Sequence, residues 1–129
     1  MNKRAKAILH FWFIQTSHKE RFNKSEVLDQ KITVRFFKDY IKAVNNEYDY
    51  WQNHSDECLA LIILLDQFSR NLFRNNAKAF AMDKKARKVA TKAIKQEFHK
   101  KLSKDQIMFV FLPFMHSEKL QDQIYCGNL

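Results

Sequence analysis

The sequence has 129 residues, 46% of them hydrophobic, with one Gly and one Pro. That length suits a single domain with a real core, and the hydrophobic share excludes wholesale disorder. The scarcity of Gly and Pro excludes most all-β and α/β designs, which need many tight turns, so an all-α domain spanning residues 1–129 is expected, with about five or six helices and no sheet. The formal net charge of +9 favours acidic partners or nucleic acid, although a lysine-rich solvated helix surface produces the same excess.

Residues 3–13 read as a first helix with Ile8, Leu9, Phe11, Trp12 and Phe13 as its apolar content. Residues 14–25 read as polar and irregular, with Phe22 as an inward anchor. A second helix is expected over about 26–47, where Ile32, Phe36 and Tyr40, together with Phe37, Ile41 and Val44, form one broad apolar stripe. Residues 48–55 connect it to the next helix, with Tyr50 and Trp51 packing back on the core. Ser55 is a suitable N-cap for that helix, and Asp56 and Glu57 suit its positive end.

The stretch from Cys58 to Arg74 organises the chain. Leu59 to Leu65 cover every side of a helix, which marks it as buried all round. The run is far short of the ~20 residues that span a bilayer. From Asp66 onward Phe68 and Leu72 stay on one side, while Asp66, Gln67, Arg70, Asn71 and Arg74 share an arc of roughly 140° on the other. Asp66 and Arg70 are four apart, the favourable order for an ion pair. Because Asp66 continues a buried run, its carboxylate calls for partners. A solvated face, a buried structural network and a ligand site all remain open.

Asn75-Asn76 signals a turn. A fourth helix is expected over about 77–98, its inner face made of Ala79, Phe80, Ala86, Val89, Ala90, Ala93 and Ile94. Lys84, Lys85, Arg87, Lys88, Lys92 and Lys95 lie largely outside. Ser103 and Gln106 fit a capping box. The apolar segment 107–112 then meets Pro113, where a kink or break is expected.

His116, Ser117 and Glu118 form a second polar cluster. A His beside a carboxylate is raw material for acid–base chemistry, and equally for a structural hydrogen bond. Ser117 adjacent in sequence does not make a nucleophile–base pair, which is set in space. Cys58 and Cys126 show no metal or redox spacing, and Cys58 reads as a small core hydrophobe. No metal site and no cofactor is expected. The stretch Ala5 to Ile14 is broken by Lys6 and His10 and lacks a small-residue cleavage site, so a cytoplasmic protein without a membrane role is expected.

Two motifs carry a resemblance. Leu-Leu-Asp66-Gln67-Phe-Ser-Arg70-Asn71-Leu-Phe-Arg74 and Leu112-Pro113-Phe114-Met-His116-Ser117-Glu118 resemble the bacterial domain of unknown function 924 family. Phe11-Trp12-Phe13, Phe80 with Asp83 and Ala86, and Gln123 also match its pattern. The resemblance implies antiparallel helix pairs in an array similar to tetratricopeptide-repeat proteins, and it implies no activity. The pattern differs at Ile14 and Asn75, where glycine is common, and at Ser69, where proline is usual. It also implies further helical sequence past Gln123, usual in the family. A chain without those helices leaves an apolar face that would promote self-association as a homo-oligomer.

These readings converge on a helical binding scaffold for a protein partner or a small anionic ligand. Asp66, Gln67, Arg70, Asn71 and Arg74 would line one side of its groove, and His116, Ser117 and Glu118 the other. A hydrolase-like enzyme with His116 as general base, positioned by Glu118 or Asp66, is the alternative. Nucleic-acid binding through the Lys-rich fourth helix ranks third, because no aromatic residues interleave with the lysines to stack bases.

Overall fold

The computed structural model describes residues 1–116. These fold into helices, and no strand occurs among the described residues. Helix α1 (Lys3–His10) runs on into a wide π-type turn over Phe11–Gln15. Asn2 caps α1, its side-chain oxygen accepting from the backbone N–H groups of Arg4 and Ala5. The short α2 (His18–Phe22) lies within the segment expected to be irregular. It is started by a capping box between Ser17 and Glu20, a Ser-x-x-Glu signal present in the sequence.

Helix α3 (Glu26–Val44) is capped by Ser25. Ile32, Phe36 and Tyr40 are buried on its inner side. Phe37 and Ile41, expected in the same stripe, are exposed instead. They lie one residue beyond Phe36 and Tyr40, a step of about 100° that carries them out of the contact with the core. A 3-10 turn (Asp49–Asn53) buries Trp51, which stacks on Tyr48 with ring centroids 3.9 Å apart. Tyr50 stays at the surface, where its hydroxyl accepts from Asn2 Nδ2 at 3.1 Å.

The central rod has three parts: α4 (Ser55–Ile62), a π-type turn (Ile63–Phe68) and α5 (Ser69–Leu72). Its N-cap is His54, not Ser55, which is already helical and makes no capping bond. Cys58 through Phe68 are all buried, with Leu61, Ile63, Leu64 and Leu65 fully so. The rod touches α1, α3, α6 (Asp83–Lys95) and α7 (Lys104–Met115), which is why its apolar residues face every direction. Rings of Phe11, Trp12, Phe36 and Phe68 meet edge-on or tilted at 5.2–6.3 Å around it, arrangements that suit the ring quadrupoles.

The stretch 77–98 is not one helix. A 3-10 turn (Ala77–Phe80) precedes α6. Ala79 is buried there, but Phe80 faces out. Helix α7 starts at the Ser103–Gln106 capping box and runs through Pro113 to Met115 without a break. Only two helical residues follow the proline, and the His116 N–H closes on the Leu112 carbonyl at 3.0 Å. One missing N–H near a helix end is easily carried.

Candidate functional site

Asp66 lies in the π-type turn of the central rod and is 1% exposed. A carboxylate there needs donors, and it has three. Oδ2 accepts from Gln67 Nε2 at 2.9 Å. Oδ1 accepts from Arg70 Nη1 at 3.2 Å and lies 2.9 Å from His116 Nδ1. The wide turn also directs backbone oxygens to side chains. The Asp66 carbonyl accepts from Arg70 Nη1 at 2.8 Å and from the Ser69 hydroxyl at 3.1 Å. Turns of this kind loosen the regular i→i−4 ladder, and polar side chains take up the carbonyls.

Arg70 bridges two carboxylates. Beyond Asp66, its Nη1 and Nη2 donate to Asp83 Oδ1 and Oδ2 at 3.0 and 3.1 Å. The planar fork matches a carboxylate in this way, which a lysine cannot do. Its guanidinium carbon lies 5.2 Å from the centre of the Phe80 ring, a cation–π contact at the edge of solvent. Asp83 is placed for this by its position in the first turn of α6.

His116 ends α7 and is partly exposed. A carboxylate oxygen can only accept, so Nδ1 carries the hydrogen in this contact. In the neutral ring Nε2 then keeps its lone pair. The structure therefore gathers Asp66, Gln67, Arg70 and His116 at one carboxylate, together with Asp83.

Asn71 and Arg74 point elsewhere. Arg74 Nε and Nη2 donate to Asp29 Oδ2 and Oδ1 at 2.5 and 2.9 Å, and Asn71 Nδ2 donates to Asp29 Oδ1 at 2.9 Å. The hydrogen bond to Asp29 raises Arg74 above the ordinary guanidinium value. Ser117 and Glu118 lie outside the described residues.

An open cleft of ≈ 480 Å³ is lined by Arg70, Arg74, Asn75 and Phe80, among others. Asn75 has a positive φ of 66°, the left-handed conformation that Asn tolerates better than most residues. This explains the relation to glycine at that position. The turn it makes carries the chain around the mouth of the cleft.

A further buried carboxylate escaped the sequence reading. Asp39, 4% exposed, receives Arg4 Nε and Nη2 at 3.1 and 2.7 Å and the Tyr48 hydroxyl at 2.6 Å. Burial, then the hydrogen bond to Asp39, pushes the Tyr48 phenol well above its usual range. Asp29 escaped as well. Both sit within α3 among charged residues, and only the distant partners Arg74 and Arg4 reveal them.

The Lys-rich helix is partly spoken for. Lys85 Nζ donates to the Ala43 carbonyl and Asn46 Oδ1, both at 2.7 Å, and pairs with Asp49 at 2.8 Å. Among the described residues, no three His, Cys, Asp or Glu side chains gather as a metal site. No helix among them is long and apolar enough to cross a membrane.

The fold and the cluster define an all-α protein built around one buried aspartate with arginine, glutamine and histidine partners. The chain belongs to the family described as bacterial protein of unknown function (DUF924), whose model matches residues 8–129. It is similar to a solved protein of unknown function from Agrobacterium tumefaciens, at 34% identity and a TM-score of 0.93, covering 97% of this chain and 70% of that one. No curated protein matches the chain.

Proposed function

We propose that this protein is a non-enzymatic helical scaffold that binds a small anionic ligand, a carboxylate or phosphate, in the cleft beside Arg70 and Arg74. The observation that carries this reading is the backing of each arginine by a carboxylate. Asp83 holds Arg70 and Asp29 holds Arg74, so the two forks are fixed beside a cleft with Phe80 at its edge. Pre-oriented donors lose little freedom on binding. The same carboxylates compensate the arginine charge, so recognition would rest on hydrogen-bond geometry more than on net charge.

The test is melting temperature against a panel of phosphorylated and dicarboxylic metabolites, for wild type, Arg70→Ala and Arg74→Gln, each referred to its own ligand-free value. A ligand should stabilise wild type and have no effect on either variant. Absence of any stabilising compound, or an equal response in the variants, overturns the reading.

A second reading is supported by the 2.9 Å contact between Asp66 and His116. A buried carboxylate that fixes the Nδ1 tautomer leaves Nε2 as a general base for a hydrolase-like reaction. Turnover of broad esterase and phosphatase substrates that is unchanged in His116→Ala would remove this residue from any mechanism.

A further inference from the structure

Helix α3 carries apolar side chains on its outer face that the core does not use. Val27, Val34 and Ile41 recur every seven residues, and Phe37 lies beside them. Val27 and Val34 are 63% and 80% exposed, and Phe37 and Ile41 about 40%. By helical geometry these residues share an arc of roughly 80° and span ~21 Å along the axis. Heptad-spaced apolar residues on a solvent face form the seam that another helix fills.

The charge beside this seam is uneven: exposed Glu26 adjoins one flank, and the other is basic. Lys31, Arg35, Lys38 and Lys42 occupy the adjoining roughly 60° on that basic flank, and all four are exposed. The two aspartates of α3 do not offset them, because Asp29 and Asp39 turn inward to Arg74 and Arg4. Among the described residues, no carboxylate forms an ion pair with Lys38 or Lys42, and Lys31 lies near enough to Glu20 for that carboxylate to feel its charge. Two open grooves, of ≈ 410 and ≈ 490 Å³, follow the helix and share Val34 and Arg35.

We propose that the outer face of α3 docks an acidic amphipathic helix of a partner protein, its apolar residues on the Val27–Val34–Ile41 seam and its carboxylates on the basic flank. A second copy of this chain is disfavoured, since each copy carries +9 and like charges oppose association. An anionic bilayer is disfavoured too. The underside of α3 is packed into the core through Ile32 and Phe36, so only a thin valine-rich strip is free to insert, where membrane-binding helices bury a broad face.

The probe is a designed 21-residue helical peptide with Leu at the a and d positions and Glu on the flanks. A scrambled peptide of the same composition, phosphatidylserine-containing vesicles and sedimentation of the protein alone serve as comparisons. The amphipathic peptide should bind at least tenfold more tightly than the scrambled one. Val34→Asp should weaken it tenfold or more with unchanged circular dichroism and melting temperature, because Val34 is 80% exposed. A Lys38→Glu, Lys42→Glu double variant should weaken it and flatten its salt dependence. No peptide binding, equal binding of the scrambled peptide, indifference to Val34→Asp, preferential binding to vesicles, or dimerisation through this face would each overturn the proposal.

Discussion

At the scale of the residue, Asp66 and Arg70 set the terms. Asp66 is the most deeply buried carboxylate among the described residues, and Arg70 serves both it and Asp83. Removing one member of a buried pair leaves an uncompensated charge, which costs about 3–5 kcal/mol when both are sunk in the protein. Arg70 retains 23% side-chain exposure, so Arg70→Ala should lie near the low end, about 3 kcal/mol, read by urea unfolding. Arg70→Lys should recover little of this, because an ammonium cannot bridge two carboxylates bidentately. The pair Lys100–Glu97 is exposed on both sides, and Lys100→Ala should leave the melting temperature unchanged. The burial of Asp66 was legible from the apolar run before it and the i,i+4 arginine after it. Asp29, Asp39 and Asp83 were not legible as partners. Their cations stand 13 to 45 positions away, and no local spacing rule reaches that far.

At the scale of the element, the deviations from regular helix repay most study. The π-type turn over Ile63–Phe68 lies where the sequence reads as ordinary helix, because the choice between i→i+4 and i→i+5 bonding depends on packing against α3, α6 and α7 and not on composition. It has a testable consequence at Ser69. A proline in a regular helix interior costs about 3 kcal/mol or more, but here the ladder is already interrupted. Ser69→Pro should therefore keep the fold and cost less than a mid-helix proline, its loss coming from the Ser69 hydroxyl bonds to the Leu65 and Asp66 carbonyls, as read by melting temperature. Val89→Pro, in the unbroken middle of α6, should abolish cooperative unfolding in a calorimeter. The break between the 3-10 turn and α6 was similarly hidden, since Phe80 matches the helical period but is held outside by Arg70. Glu97 adopts a positive φ of 60°, a conformation that costs an ordinary residue steric strain and that Asn tolerates. Glu97→Asn should raise the melting temperature by a few degrees.

At the scale of the whole molecule, the composition, with its near absence of Gly and Pro, was enough for the fold class, and apolar residues at helical spacing were enough for the main helices. What composition does not carry is the response to alkali. Burial pushes the Cys58 thiol up to about 12, and burial with the Asp39 hydrogen bond raises the Tyr48 phenol. Both groups stay protonated in the native state at a pH where the unfolded chain has lost the proton. The native state then binds more protons than the unfolded one, so stability falls as pH rises. The loss should begin above about pH 9 through Cys58 and steepen above about pH 10 through Tyr48. Each group contributes up to about 1.4 kcal/mol per pH unit. Chemical denaturation between pH 8 and 11 reads this slope, and Cys58→Ala should remove its first part while leaving the second.

Both tryptophans are fully enclosed, Trp12 among the rings of Phe68 and Phe109 and Trp51 against Tyr48. Native emission should therefore be blue-shifted and shielded from acrylamide. Trp51→Phe and Trp12→Phe would each leave a single reporter, one beside the aromatic cluster and one beside the Arg4–Asp39–Tyr48 network. The order in which these two regions open could then be timed with no label attached.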